Sequence, residues 1–184
     1  MLTPFQIRKL MKLFSMYDAC NLGVLKLSDF ERLAQRLAEL RGWKPGSASY
    51  EQIMNKFLFR WGRMRAEVKE KVNHRMDSQI DFEEWLGYHD IVLADKSYRD
   101  EIVGLAESVF NVVDVDDSGH LSKEEWATLF RVYNIPVIYV DETFDKIDRN
   151  QDGALTKDEV LSMIQDFYYS TDPNAIGSYM FGPI

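Results

Sequence analysis

Apolar residues recur at helical spacing in several separate segments of this chain. The first segment follows Thr3 and Pro4, which are typical helix-cap and first-turn residues, and carries Phe5, Leu10, Leu13, Phe14 and Tyr17. Similar apolar stripes run through residues 102–113 and 160–167. Stretches rich in Asp, Asn, Gly and Ser separate the segments and are typical of loops. The pattern predicts an all-α protein.

The twelve residues 114–125, DVDDSGHLSKEE, place oxygen donors at regular positions and end in glutamate. The donors at positions 1, 3, 5, 7, 9 and 12 are Asp114, Asp116, Ser118, the backbone carbonyl of His120, Ser122 (through a bridging water) and Glu125. Gly119 at position 6 permits a sharp turn that a Cβ disfavours. This is the ligand pattern of an EF-hand loop, and its hard oxygen ligands suit Ca²⁺.

The same pattern begins again 34 residues later, in residues 148–159. Its donors are Asp148, Asn150, Asp152, the carbonyl of Ala154, Thr156 and Glu159, with Gly153 at the turn. Leu121 and Leu155 at position 8 are predicted to face each other in a short β-ladder. Two complete motifs predict two Ca²⁺ sites, and Mg²⁺, which demands a stricter octahedron, is the expected competitor.

The last ligands of each loop also form capping boxes, Ser122 with Glu125 and Thr156 with Glu159. In a capping box, each side chain accepts a hydrogen bond from the other residue's backbone amide. Ligands therefore start the exiting helix, which predicts mechanical coupling between ion binding and helix geometry.

Two further loops have lost part of the pattern. Residues 18–29 keep Asp18 and Gly23 but place Cys20, Leu22 and Lys26 at ligand positions, with Asp29 at position 12. Residues 73–84 keep Asp77, Asp81 and Glu84 but place Arg75 at position 3 and Ser78 at the glycine position. A cation in the ligand ring opposes Ca²⁺, so both loops are expected to bind it poorly and to pair with each other structurally. A weak third ion in residues 73–84 stays an open alternative.

Other predicted caps mark where the remaining helices begin. Ser28 with Glu31, and Asp81 with Glu84, are predicted capping boxes, while Ser49 and Ser97 with Asp100 are expected to start helices. Residues 56–75 contain seven Lys or Arg and two Asp or Glu, interleaved with Phe57, Phe59, Trp61 and Met64. This stretch is interpreted as a core-facing helix, with contact to acidic lipid or a protein partner as the alternative.

These elements predict four helix–loop–helix units in two pairs that form one compact globule. The amino-terminal pair occupies residues 1–95, the carboxy-terminal pair residues 96–170, and an apolar tail residues 171–184. Tyr179, Met180, Phe181 and Ile184 make the tail end unsuited to water, so it is expected to pack on the globule.

Composition narrows the choice of partners. The formal net charge of −8 disfavours nucleic acid and anionic membranes as general partners. Cys20 is the single cysteine, so no internal disulfide exists. With no signal peptide or long apolar run in the sequence, a monomeric cytoplasmic protein is expected.

The chain resembles the sarcoplasmic calcium-binding proteins, and most closely the calexcitins among them. The resemblance rests on the two intact loops, the segments YDACN at 17–21, EEWL at 83–86 and YNIP at 133–136, and the FGPI tail at 181–184. It implies two EF-hand pairs in one globule, calcium buffering or signalling, and no catalysis. The first loop departs from that family, in which it commonly binds an ion.

The sequence therefore predicts a calcium buffer or signalling protein, with an unknown protein target. The alternative is a calcium-regulated, luciferin-type small-molecule binder of the same architecture. Photoproteins of that kind need a histidine in the final helix, whereas the histidines here are His74, His89 and His120. No nucleophile–base set is visible, so no enzyme activity is expected.

Overall fold

A computed structural model describes residues 1–72 and 78–184 of the chain. The described residues form helices joined by short loops, as the apolar pattern predicts. The α-helices are α1 (Pro4–Tyr17), α2 (Leu27–Leu40), α3 (Ala48–Glu67), α4 (Phe82–Val92), α5 (Lys96–Val113), α6 (Lys123–Val132), α7 (Val140–Ile147) and α8 (Lys157–Tyr169). A π-helical turn (Val68–Val72) extends α3, and two 3₁₀ turns cover Val137–Tyr139 and Ile176–Tyr179.

Four three-residue strands join the loops in pairs. The strands are β1 (Val24–Lys26), β2 (Gln79–Asp81), β3 (His120–Ser122) and β4 (Ala154–Thr156). β1 pairs antiparallel with β2, with Leu25 opposite Ile80, and β3 pairs with β4, with Leu121 opposite Leu155. The predicted ladder is confirmed, and the first two loops pair in the same way as the last two.

Each of α1, α5 and α7 ends at the first aspartate of a loop. Asp18, Asp114 and Asp148 still donate their backbone N–H to the carbonyl of a phenylalanine four residues earlier, at 2.8–2.9 Å. Their ψ angles of 64–81° then turn the chain out of the helix. Aspartate is therefore both the helix end and the first candidate ligand.

Three predicted helix starts are wrong by a few residues. The helix α2 begins at Leu27, with Lys26 as cap and Asp29 accepting from the Lys26 N–H, so Ser28 and Glu31 form no cap there. Ser47, not Ser49, caps α3, and Asp95, not Ser97, caps α5. At α3 and α5 the side chain that accepts a bond from an early helix amide lies two residues before the predicted cap, whereas the Lys26 side chain accepts no such bond. The boxes at Asp81, Ser122 and Thr156 are confirmed.

One hydrophobic core runs through both pairs of units. Trp85 and Trp126, the first tryptophans after the second and third loops, are both fully buried. Their indole N–H groups donate to Leu10 O (3.0 Å) and Thr143 Oγ1 (3.1 Å). Because the core is continuous, the division into residues 1–95 and 96–170 stays a prediction.

The tail returns over α8. Met180 and Phe181 are 2% and 6% exposed, and the Phe181 ring lies edge-on to Phe167 at 5.0 Å. Ile184 is half-buried. These contacts place the apolar tail residues against the protein interior.

The basic stretch of α3 faces inwards with Phe57, Trp61 and Met64, which are all buried. Phe59, 64% exposed, points outwards. The core-facing interpretation therefore holds for three of the four apolar residues. Within the described ranges, no helix combines the length and apolar character needed to cross a membrane.

Candidate metal centres

In the third loop, Asp114 organises the turn through both of its carboxylate oxygens. Oδ1 accepts from the Ser118 N–H and Oδ2 from the Gly119 N–H, both at 2.9 Å. Gly119 adopts φ +82°, a left-handed conformation that explains the choice of glycine. Asp114 is 6% exposed, so its carboxylate sits in the base of the loop.

Glu125 closes the loop from the other end. Its Oε2 accepts from the Ser122 N–H (2.9 Å) and the Ser122 hydroxyl (2.8 Å), while Oε1 accepts from the Val115 N–H (2.9 Å). The glutamate therefore ties the last ligand positions to the beginning of the loop. In the same geometry, the Ser122 hydroxyl accepts from the Glu125 N–H at 3.3 Å and starts α6.

Three carboxylates of this loop converge. Oxygen atoms of Asp114, Asp116 and Glu125 all lie within 4.8 Å of one another. Hydrogen bonds from the hydroxyl and backbone N–H of Ser118 lower the pKa of Asp116, which keeps that carboxylate ionised. Like charges at this separation repel, and a hard divalent cation is the natural counter-charge. Ser118 and His120 lie beside them, with the Ser118 hydroxyl donating to the His120 carbonyl at 3.1 Å.

The fourth loop repeats the frame with the same number of candidate carboxylate ligands, Asp148, Asp152 and Glu159. Asp148 accepts from the Asp152 N–H (3.2 Å) and the Gly153 N–H (2.8 Å). Thr156 and Glu159 repeat the bonds of the capping box, with Oε2 accepting from the Thr156 N–H and hydroxyl at 2.8 Å. The candidate ligands of the fourth loop thus occupy the same loop positions as those of the third.

Position 3 distinguishes the fourth loop from the third. The Asn150 amide donates to Asp152 Oδ2 at 2.7 Å, so its nitrogen lies against a candidate ligand. An ion here would take the amide oxygen instead, after rotation of the side chain. The Ala154 N–H donates to the other Asp152 oxygen at 3.0 Å, which leaves the Ala154 carbonyl at position 7.

The first loop keeps the frame but not the donors. Asp18 accepts from the Leu22 and Gly23 N–H groups at 2.9 and 2.8 Å, as Asp114 does in its own loop. Leu22 is 60% exposed, Cys20 is also exposed, and Lys26 occupies position 9. Asp29 at position 12 accepts from the Lys26 N–H, so the turn is stabilised internally.

The second loop is described from Ser78 onwards. Asp81 and Glu84 cap α4, with each side chain accepting from the other's backbone N–H at 2.9 Å. The predictions for Arg75 and Asp77 lie outside the described residues.

The sequence patterns miss a contact between the two halves of the chain. Arg41, at the end of α2, donates to the Asp114 carbonyl at 2.6 Å and to Asp117 Oδ1 at 2.9 Å. The two partners lie 73 and 76 residues away in sequence, so no local motif contains them. The only signal in the sequence is a basic residue just after a predicted helix, and this signal does not indicate which residues it contacts.

A cavity of about 70 Å³ lies where the two halves meet. Its walls include Leu13 and Met16 of α1, Ile164 of α8, and Met180 and Phe181 of the tail. No histidine occurs among the described residues that line it. A volume of this size holds a few water molecules, whereas sites for drug-sized ligands measure roughly 300–1,000 Å³.

The paired helix–loop–helix units and their oxygen-rich loops define a calcium-binding class of helical protein. A family model described as an EF-hand domain pair matches residues 105–165. Residues 105–165 therefore form an EF-hand pair, and the predicted EF-hand family is confirmed at this level.

Known proteins resemble this chain in sequence or in fold. Calerythrin from Saccharopolyspora erythraea is 23% identical over 172 residues, which cover 92% of this chain and 95% of calerythrin. The structure of the calcium-loaded apo form of the coelenterazine-binding protein from Renilla muelleri has a TM-score of 0.69 at 19% identity and full coverage of both chains. The magnesium-loaded structure of the ctenophore photoprotein berovin has a TM-score of 0.65 at 19% identity and covers 86% of each chain.

Proposed function

We propose that the chain is a cytoplasmic calcium buffer or signalling protein that binds two Ca²⁺, one in the third loop and one in the fourth. The convergence of Asp114, Asp116 and Glu125 within 4.8 Å carries the proposal for the third loop. The repeated frame around Asp148 supports the fourth. Magnesium is proposed as the competing ion, which is consistent with the berovin structure, whose three calcium-binding loops hold Mg²⁺.

Within this function we favour a closed, buffer-like response. A sensor opens an apolar groove when it binds calcium, whereas a buffer opens little. Met180 and Phe181 of the tail cover apolar surface between the two halves. Opening would have to expose these side chains, so the tail favours the closed form.

Substitution at position 12 tests the site assignment. Glu125→Gln and Glu159→Gln should each remove one bound ion, because each loses a bidentate carboxylate. Calorimetric Ca²⁺ titrations, with and without millimolar Mg²⁺, would count the ions in the parent and in both variants.

The neighbouring position 11 supplies matched controls for that test. Glu124→Gln and Asp158→Asn remove the same charge one residue earlier, from side chains outside the ligand pattern, and should keep both ions. A parent that binds three or four ions tightly, or position-12 variants that bind as the parent does, would contradict the assignment.

A small-molecule carrier is the second candidate, because of the central cavity and the fold shared with the Renilla protein. A cavity of about 70 Å³ is small for such a ligand, so the inner side chains would have to move apart. The absorbance spectrum of the purified protein tests this candidate. An absorbance band at wavelengths longer than those that tryptophan absorbs, if it remains after dialysis, would support a bound chromophore.

A further inference from the structure

Arg36 of α2 and Arg41, the residue that caps its carboxyl end, reach from the first half of the chain onto the third helix–loop–helix unit. Arg41 donates to the Asp114 carbonyl (2.6 Å) and to Asp117 Oδ1 (2.9 Å). Arg36 donates to the Val132 carbonyl (3.0 Å) and to Asn134 Oδ1 (2.7 Å). Asp114 caps the end of α5 and Val132 is the last residue of α6, so the two arginines contact the carboxyl ends of both helices that flank the loop.

The chemistry of these contacts favours a firm attachment. The last carbonyls of a helix lack intrahelical donors and carry the negative end of the helix dipole, so a guanidinium is a suitable partner. Arg41 is only 19% exposed, and its guanidinium lies 5.9 Å from the centre of the Trp43 ring. Each arginine bridges two acceptors, Arg36 from Nη1 alone and Arg41 from Nη1 and Nη2. The planar two-nitrogen fork of Arg41 is not reproduced by the point charge of a lysine ammonium.

The third loop needs such support because its three converging carboxylates repel one another without a cation. We infer that Arg36 and Arg41 are positioning residues that hold α5 and α6 at the angle that keeps Asp114, Asp116 and Glu125 together. They thereby raise the calcium affinity of the third loop and slow calcium release. The inference rests on the proposed function, in which this loop binds Ca²⁺.

Electrostatics alone leads to the opposite expectation. A guanidinium next to a cation site repels the cation, so its removal should tighten binding. If the arginines act by position, their removal loosens the ligand set and should weaken binding. The sign of the affinity change therefore separates the two mechanisms.

The test uses the full-length chain carrying Glu159→Gln, so that the third loop is measured alone. Arg36→Gln combined with Arg41→Gln should weaken Ca²⁺ binding roughly fivefold to tenfold, within the range of ordinary coupling between sites. Release of Ca²⁺ to a fluorescent chelator in stopped flow should become faster. Arg41→Lys keeps the charge but loses the two-acceptor bridge, and should also weaken binding.

Arg32→Gln is the matched control on the same helix. Arg32 makes its ion pair with Asp29 within α2, at 3.4 Å, so its substitution should leave the affinity unchanged. A second control carries Glu125→Gln and both arginine substitutions, and the fourth loop should bind there as in Glu125→Gln alone. Melting curves in chelator would verify that each variant folds.

Unchanged or tighter binding in the double arginine variant, or unchanged binding in Arg41→Lys, overturns the inference while the calcium site stands. A Glu159→Gln chain that binds no Ca²⁺ overturns the third-loop assignment itself, and the inference with it. The two failures are distinct, because the second is seen before any arginine is changed.

Discussion

At the scale of single residues, His89 is the buried group with the clearest pH signature. It is fully buried, with Nδ1 2.8 Å from the Trp85 carbonyl and Nε2 3.2 Å from the Tyr98 hydroxyl. A carbonyl only accepts, so Nδ1 carries the proton and Nε2 accepts from Tyr98. Burial, reinforced by the nearby Arg60 guanidinium, lowers the pKa of His89 to about 3.

This pKa makes the folded protein acid-sensitive. An unfolded histidine has a pKa near 6.5, so between about pH 6.5 and pH 3 the unfolded chain binds more protons. The free energy of unfolding should fall in this window as the pH falls, by up to about 1.4 kcal/mol per pH unit from this residue. His89→Gln should remove that part of the slope, as measured by urea unfolding in chelator at several pH values.

His120→Gln provides the comparison, because His120 is exposed. It should keep the pH dependence of the parent. If His89→Gln shows the same slope as the parent between pH 6.5 and pH 4, the buried neutral histidine does not control this part of the acid response.

At the scale of elements, the tail depends on a glycine where it crosses α8. A Cβ at Gly177 would lie 2.2 Å from the Met163 carbonyl and 2.5 Å from the Asp166 Cβ. The backbone of the 3₁₀ turn therefore approaches α8 as closely as a glycine allows. Lys9, 1% exposed, donates to the carbonyls of Asp166 (3.1 Å) and Ser170 (2.7 Å) and secures the end of α8.

Gly177→Ala should push the tail away from α8. Overpacking of this kind costs roughly 1–3 kcal/mol, so the melting temperature should fall. Displacement of Met180 and Phe181 should also increase the fluorescence of a hydrophobic dye in saturating Ca²⁺, with both quantities compared against the parent.

Gly62→Ala is the control, since a Cβ at exposed Gly62 in α3 meets nothing within 4 Å. It should be neutral or stabilising, because alanine is the better helix former. Equal melting temperatures and equal dye binding for Gly177→Ala and the parent would show that the tail contributes little to the closed form.

At the scale of the whole molecule, calcium should stabilise both halves, because they share one core. An ion that binds only the folded chain adds RT ln(1 + [L]/Kd) to the free energy of unfolding. At a hundredfold excess over Kd this is about 2.7 kcal/mol for each site. In the absence of an ion the carboxylates of the third loop repel one another, which lowers the stability of the ion-free chain.

Two sites should therefore raise the unfolding midpoint by roughly 10–20 °C between chelator and saturating Ca²⁺. Scanning calorimetry is the measurement, and Glu125→Gln combined with Glu159→Gln should abolish the shift. A parent midpoint that does not respond to Ca²⁺ would contradict functional sites in both loops.

The sequence by itself determined the internal frame of the loops, because the hydrogen bonds that form this frame are local. The Asp114 and Asp148 carboxylates accept from amides four and five residues ahead, and Ser122 and Thr156 form capping boxes with the glutamate three residues ahead. The fold class and the pairing of the loops followed from the same repeated motif. Only helix starts with weaker signals, such as Lys26 for α2, were misplaced.

The tertiary structure alone decided which charged and polar residues lie inside. Lys9 is buried because its ammonium bonds to carbonyls at the end of α8, and the partner of His89 Nε2 is Tyr98 of α5, so distant elements decide both environments. Likewise, Arg41 contacts the third loop only because α2 packs against α5 and α6. A ligand pattern within twelve residues can be predicted from the sequence because its residues are neighbours in the chain. A contact across 73 residues depends on how whole helices pack, because packing brings together residues that share no local motif.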